Sequence, residues 1–411
     1  MNARVLPLVV FLVLLLVVSL FLIYNLPSAS TDKIDQEVYV GIDVAYDNQT
    51  ITDLIDKVSS YTNLFVVGCT AITLNQTRLD SICQYIYDKG MSFIIYQDTP
   101  IGYYEAAPML FNQIRPSNAT VANASLGSTR IRPSRLDYSA FVSNWTQTAK
   151  NKWGNRFLGF YYVDEPAGRQ LDQDPEWTVV RNATDYTDAS NKFNRAVNYS
   201  INWFRSGYTN GTDLSLFTSD YALYHFDYKA GYDVLLAQLG WNYSRQLNIA
   251  LARGAATVQN KDWGVIVAWE YTQPPYLESS DKLYNDLVLA YTNGAKYIVI
   301  FDSNQGYTQS VLTEDHLQAL ERFWQYIKEN PRASNQVNER VGFVLPKDYA
   351  YGFRGPEDKI WGLWKDEIVS LNVSISLNSK LEQYSDKLDI IYDEIAKPET
   401  LGYKQLFYWN T

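Results

Sequence analysis

Cysteine and histidine are nearly missing from this chain, which has two of each: Cys69, Cys83, His225 and His316. That is too few, and too scattered, for a zinc centre or a four-cysteine cluster. The sequence therefore predicts no transition-metal site and no cofactor, leaving open only a hard cation held by aspartate oxygens. The two cysteines fall at a predicted strand end and on the helix after it, where a disulfide and two buried thiols fit equally well. Clusters of Lys and Arg are missing too. With 35 basic against 45 acidic residues, a net charge of −10 and a pI near 4.9, nothing here neutralises a run of phosphates, which argues against nucleic acid as a partner. No P-loop, dinucleotide fingerprint or Gly-x-Ser-x-Gly elbow stands in a strand–turn–helix setting.

What the chain has in excess is apolar length at its start and aromatic rings throughout. Val5 to Tyr24 is an uncharged run of twenty residues, which as a helix covers about the 30 Å of a bilayer core. A cleaved signal peptide has a shorter apolar stretch, so residues 1–26 read as a retained membrane anchor, although Ser28-Ala29-Ser30 resembles a cleavage site. Arg4 precedes the run and no cation follows before Lys33. That asymmetry leaves the N-terminus in the cytoplasm and the remainder outside the cell. Ten Asn-x-Ser/Thr sequons, at Asn48, Asn75, Asn118, Asn123, Asn144, Asn182, Asn198, Asn210, Asn242 and Asn372, agree with an extracellular glycoprotein.

After a polar stalk at 27–37, apolar runs of strand length alternate with helix-like stretches, the order that makes parallel strands joined by crossover helices. Eight strands are expected, at 38–43, 64–68, 93–97, 157–164, 214–219, 234–238, 264–270 and 297–302, each nearly continuous in apolar residues. Helices are expected over 79–89, 138–150, 190–205, 279–293 and 313–330, where apolar residues recur every three or four positions, while 221–232 is too short and aromatic for a full crossover helix. The fold class is therefore α/β: a (β/α)8 barrel at 38–332 with a small α/β appendage at 338–411, built on strands 341–345, 388–392 and 405–409. Two insertions, 99–136 and 165–189, belong at the C-terminal mouth, where active-site loops sit. The aromatic loop 346–364 could lean over the barrel or mediate association with another copy or a surface protein.

Strand ends converge on that mouth, and acidic or amide residues close most of them: Asp43, Asp98, Asp164, Glu165, Asp220, Gln238, Glu270 and Asp302. Each could cap the next helix, but a ring of carboxylates is costly to gather for structure alone. Tyr46, Tyr96, Tyr161, Tyr162, Trp241, Trp269, Tyr271 and Tyr276 lie among them, suited to stacking on sugar faces or to plain packing, with Trp269 and Trp241 the first choices for stacking. Glu165 and Glu270, on strands four and seven, would face each other across the barrel mouth. Glycoside cleavage needs such a pair, one carboxyl protonated to donate to the leaving oxygen and the other ionised to attack the anomeric carbon or activate water.

Gly159-Phe160-Tyr161-Tyr162-Val163-Asp164-Glu165-Pro166 and Val267-Ala268-Trp269-Glu270 resemble the strand-four and strand-seven motifs of the clan A glycoside hydrolases, within a barrel covering roughly residues 38–330. The resemblance implies Glu165 as acid/base, Glu270 as nucleophile and cleavage with retention. One departure stands out: the clan usually places Asn before its strand-four Glu, and here that residue is Asp164. The Tyr-Tyr-x-Asp-Glu-Pro string is also similar to poorly characterised barrels related to glycosidases. The function expected is a membrane-anchored extracellular glycosidase acting on a polysaccharide or surface glycan, with Asp43, Asp98, Asp164, Asp220, Gln238, Trp241, Trp269, Tyr271 and Asp302 binding the carbohydrate. The alternative is a non-catalytic carbohydrate-binding or cell-envelope protein on the same barrel.

Overall fold

A computed structural model describes residues 38–47, 51–97, 135–174, 177, 179–209, 212–332, 337–393 and 398–410. The expected span Val5–Tyr24, the stalk, Asp98, nearly all of the 99–136 insertion and the sequons Asn48, Asn118, Asn123 and Asn210 lie outside the described residues. Among the described residues no helix is long and apolar enough to cross a membrane.

Eight parallel strands close into a barrel in chain order: β1 (Tyr39–Val44), β2 (Leu64–Val67), β3 (Ser92–Gln97), β4 (Phe157–Tyr162), β5 (Ser215–Asp220), β6 (Val234–Leu239), β7 (Asp262–Val267) and β8 (Tyr297–Asp302). Between and after them run α1 (Ile51–Val58), α2 (Gln76–Asp88), α3 (Arg135–Trp153), α4 (Pro166–Leu171), α5 (Tyr186–Tyr208), α6 (Tyr224–Ala230), α7 (Arg245–Gln259), α8 (Ser280–Thr292) and α9 (Glu314–Glu329). Helix starts follow from local chemistry. Ser244, Ser279 and Thr313 each accept a hydrogen bond from the amide three residues on, satisfying a donor that the first helical turn leaves unpaired. The crossover between β5 and β6 is indeed reduced, to the seven residues of α6.

Side chains along each strand alternate between two separate cores. One set, including Leu64, Val66, Ile94, Tyr161, Phe217, Leu236, Ile266 and Val299, fills the barrel. The other, including Val40, Ile42, Val44, Leu216, Leu235, Ile298 and Ile300, packs outward against the helices. A register shift between β3 and β4 makes Phe93 pair with Phe157 and Ile94 with Gly159, so Leu158 is an extra residue. This bulge turns Tyr161 into the barrel. Gly159 sits at φ +147° with Ser215 behind it, where a Cβ would come within 2.0 Å of a carbonyl oxygen, so only glycine fits the bend.

The appendage is a three-stranded parallel sheet in the order β10–β9–β11, from β9 (Val341–Leu345), β10 (Leu388–Tyr392) and β11 (Gln405–Tyr408), with α10 (Glu367–Tyr384) beside it. It is welded to the outside of the barrel along α7. Gly254 lies so close to β10 that a Cβ would stand 2.1 Å from the Ile390 carbonyl oxygen. Nearby, the fully buried Asp389 accepts from Arg253 of α7 at 2.6 Å and from Arg340 at 2.5 Å. Cys69 and Cys83 are two buried free thiols, which resolves the pair in favour of packing. His225 is buried and stacks on Tyr392 of the appendage at 4.5 Å, and His316 completes the cap of α9.

Removing a carboxylate shared by two buried guanidiniums leaves uncompensated charge in the seam. Asp389→Ala is therefore expected to lower unfolding free energy by about 3–5 kcal/mol, read from the denaturant midpoint. A loss near zero would mean that the two arginines are solvated in the folded protein.

Candidate active site

The alternation along the strands sorts the predicted mouth residues. Asp43 on β1 and Gln238 on β6 share the inward set with Tyr39 and with Val234 and Leu236. Asp220 and Asp302, each the last residue of its strand, follow the opposite set. Both are fully buried and spend their oxygens on the protein. Asp220 accepts from the amides of Ala167 at 2.8 Å, Gly168 at 2.9 Å and Tyr221 at 2.8 Å. Asp302 accepts from the Tyr46 hydroxyl at 2.9 Å, the Ser310 hydroxyl at 2.9 Å and the Val311 amide at 2.8 Å. The expectation that they bind carbohydrate is corrected accordingly: they hold loops. Tyr46 and Tyr162 are corrected likewise, since Tyr46 is buried on Asp302 and Tyr162 stacks on Phe204 at 4.2 Å behind the strand.

Glu165 stands three residues past the end of β4, at the N-cap of α4, with φ +57° and ψ +44°. Val163 shares this left-handed conformation at φ +57°, which is unfavourable for a β-branched residue and marks a strained turn. Neighbours over-determine it. The Glu165 amide donates to the Ser219 carbonyl at 3.0 Å, and Asp220 grips the two amides at the start of α4. The Gln238 amide donates to Glu165 Oε1 at 2.6 Å and to the Ser219 hydroxyl at 2.9 Å. Ser219 in turn donates to Asp164 at 2.9 Å, and the Tyr161 hydroxyl reaches the same carboxylate. Burial, reinforced by the charge of Asp164, pushes the Glu165 carboxyl up to about 8 even though the Gln238 hydrogen bond pulls it down. Burial also raises Asp164, against the pull of Tyr161 and Ser219. Asp43 is 5% exposed, has an Oδ1 without a hydrogen-bond partner, and is raised by burial and then by Asp164 and Asp302.

Glu270 also stands three residues past its strand, in the loop after β7. Its amide and that of Tyr271 both donate to the Tyr276 carbonyl, at 2.8 and 3.0 Å, closing a tight loop that contains the cis Pro274-Pro275 bond. Lys282, on the first turn of α8, donates to Glu270 Oε2, and Arg245, the first residue of α7, stands 3.6 Å from the same oxygen. Burial alone would raise this carboxyl, but Lys282 and then Arg245 outweigh it and hold it below the ordinary range. Arg245 is fixed by Glu278 at 2.8 Å and Asp286 at 2.9 Å.

An aromatic cluster forms around Trp269, the residue before Glu270. Trp269 donates its indole N–H to the Ser303 carbonyl at 2.7 Å and meets Trp241 at 6.5 Å, Tyr276 at 5.8 Å and Tyr307 at 6.4 Å between ring centroids. Tyr271 and Tyr307 are exposed. Tyr96 and Tyr161 instead meet inside the barrel at 5.4 Å. Among the described residues no group of three or more His, Cys, Asp or Glu could hold a metal ion. Ser219, Arg245, Lys282, Glu278 and Tyr307 were not among the residues expected from sequence. The Ser and Tyr carry no distinctive motif, while the Arg and Lys could have been suspected because both open helices at the mouth.

No protein-family model and no curated protein sequence matches the chain. Solved structures do match its shape. A β-galactosidase from the Antarctic haloarchaeon Halorubrum lacusprofundi aligns with a TM-score of 0.56 at 10% identity, covering 90% of this chain and 69% of that one. A GH5_18 glycoside hydrolase from Streptomyces cattleya, in complex with GlcNAc, aligns at 0.53 and 10%, covering 91% and 98%. An α-L-fucosidase from Paenibacillus thiaminolyticus aligns at 0.54 and 13%, covering 90% and 59%. At such identities the likeness establishes a shared (β/α)8 fold, and the differing sugars in those names carry nothing over to this chain.

The Gln238 hydrogen bond favours the charged form of Glu165. Gln238→Leu is therefore expected to raise the Glu165 midpoint further above about 8, followed by carboxyl-carbon NMR against pH. An unchanged midpoint would separate Gln238 from the electrostatics of this residue.

Proposed function

We propose that this chain is a membrane-anchored, extracellular glycoside hydrolase acting on a polysaccharide or surface glycan. Glu165 is the proton donor and Glu270 the ionised carboxylate that attacks the anomeric carbon. The observation that carries the reading is the opposite tuning of two carboxyls at the same offset past strands β4 and β7: Glu165 is raised to about 8 and Glu270 lowered. Glycoside cleavage asks for that division, a neutral acid and a charged partner at one pH. Asp43, Asp164 and Gln238 supply hydrogen-bonding groups on the floor, and Trp241, Trp269 and Tyr271 offer ring faces at the rim. Asp164, where the resembled clan has Asn, is an acceptor for a sugar hydroxyl when ionised.

The exterior location rests on the Val5–Tyr24 run with Arg4 before it and on the sequons. All six sequon asparagines among the described residues, Asn75, Asn144, Asn182, Asn198, Asn242 and Asn372, are exposed, as an acceptor must be. A second reading, carbohydrate binding without hydrolysis, is favoured by one observation: Lys282 and Arg245 both crowd Glu270 Oε2. Turnover on a panel of glycans separates the two.

Glu165→Gln and Glu270→Gln are each expected to lower kcat by on the order of 10²–10⁴-fold with folding intact, measured with aryl glycosides and glycans. Full activity in either variant removes that residue from the mechanism. The donor must hold its proton, so activity should fall as pH rises through about 8. The partner must be ionised, so activity should also fall once pH drops below the depressed Glu270 value. Retention is expected in the anomeric proton spectrum of the first-formed product; inversion would require the carboxyls to stand roughly 6.5–9.5 Å apart with water between them.

A further inference from the structure

The outer face of α10 carries the most exposed large aliphatic side chains among the described residues: Ile368 is 75% exposed, Leu371 60% and Ile375 60%. The inner face of the helix packs normally, with Val373 and Leu377 buried toward β9 and β10. From Ile368 to Ser379 the helix has no charged residue, only serines and asparagines between its apolar side chains. A row of this kind on a surface asks for cover.

Within the row stands Asn372, exposed, four residues after Ile368, adjacent to Leu371 and three before Ile375. On a helix, positions three and four apart are neighbours, with about 5–6 Å between Cβ atoms. Asn372-Val373-Ser374 is also an acceptor sequon. The position differs from two others of its kind. Asn75 uses its side chain to cap α2, and Asn198 donates its amide to the Ala230 carbonyl at 3.0 Å.

We propose that Asn372 carries an N-linked glycan whose first sugars lie along Ile368, Leu371 and Ile375 and cover this row. The inference rests on the exterior location proposed above and is independent of hydrolysis. In the modification, Asn372 Nδ2 bonds to the anomeric carbon of a lipid-phosphate-linked oligosaccharide. The sugar–phosphate bond breaks, the amide proton passes to a base of the transferase, and the lipid phosphate leaves. The CH-rich face of a pyranose suits aliphatic side chains, while its hydroxyls restore a polar surface above them.

The scarcity of cysteine makes the test clean, because Cys69 and Cys83 are both buried and an introduced thiol is the one a polar maleimide meets. Full-length Leu371→Cys and Ile375→Cys variants are made in a host that N-glycosylates, labelled in native membranes, and compared with the same variants carrying Asn372→Gln. Gln383→Cys, exposed near the end of the same helix, is the control. The expected result is a sugar mass on the peptide containing Asn372, labelling at 371 and 375 that is severalfold slower with the glycan than without it, and an unchanged rate at 383. Two results overturn the proposal: equal rates with and without the glycan, or labelling that stays slow in Asn372→Gln, which would assign the row to a second copy or a lipid surface. An unmodified Asn372 beside occupied sequons elsewhere overturns this inference alone. Absence of sugar at every sequon overturns it together with the exterior location.

Discussion

Closure of eight parallel strands into one barrel imposes a binary choice on every strand residue: inside with the barrel core, or outside against the helices. Asp43, Ser219 and Gln238 lie on the inner set and gather at the floor of the mouth, while Asp220 and Asp302, one step away in the pleat, are sent outward into the scaffold. For the strand residues at the mouth, the division between side chains that face the barrel and side chains that hold loops follows from this alternation. The bulge at Leu158 matters for the same reason, because without it Tyr162 rather than Tyr161 would turn toward Asp164.

The fold was largely legible from sequence because parallel strands buried on both faces read as unbroken apolar runs, and β1 to β11 each lie within a few residues of such a run. Four helices escape the periodicity for separate reasons. α1 and α4 have only eight and six residues. α7 is buried around most of its circumference, so no apolar stripe stands out. α10 carries apolar residues on its exposed face as well as its buried one, which blurs the period. At the candidate site, the motifs point to Glu165 and Glu270, but the partners that tune them in opposite directions come from elsewhere in the chain. Gln238 comes from β6, and Arg245 and Lys282 from two different helix starts. Such convergence has no local signature. The error over Asp220 and Asp302 was more avoidable, since counting pleat positions from the apolar residues of the same strands predicts it.

The strained turn at Glu165 is braced from two directions. Below it, Asp220 holds the start of α4, and Gly168 is needed there because a Cβ would come within 2.6 Å of an Asp220 oxygen. Beside it, the aromatic loop of the appendage reaches over the barrel wall: Trp361 packs on Phe226 at 4.6 Å and on Phe193 at 5.6 Å, and its carbonyl accepts from Gln173 at 3.2 Å. Arg354 of the same loop pairs with Asp172 at 2.7 Å, just past the end of α4. The appendage therefore bears on the geometry of Glu165 through the residues around α4.

Where Gly254 meets Ile390, backbone touches backbone with no side chain between them. Proteins that close over a ligand by swinging one lobe against another need a seam that can slide, and this contact offers none. Barrel and sheet are held there at a fixed separation. The same contact makes the seam a place where even one added methyl group is refused.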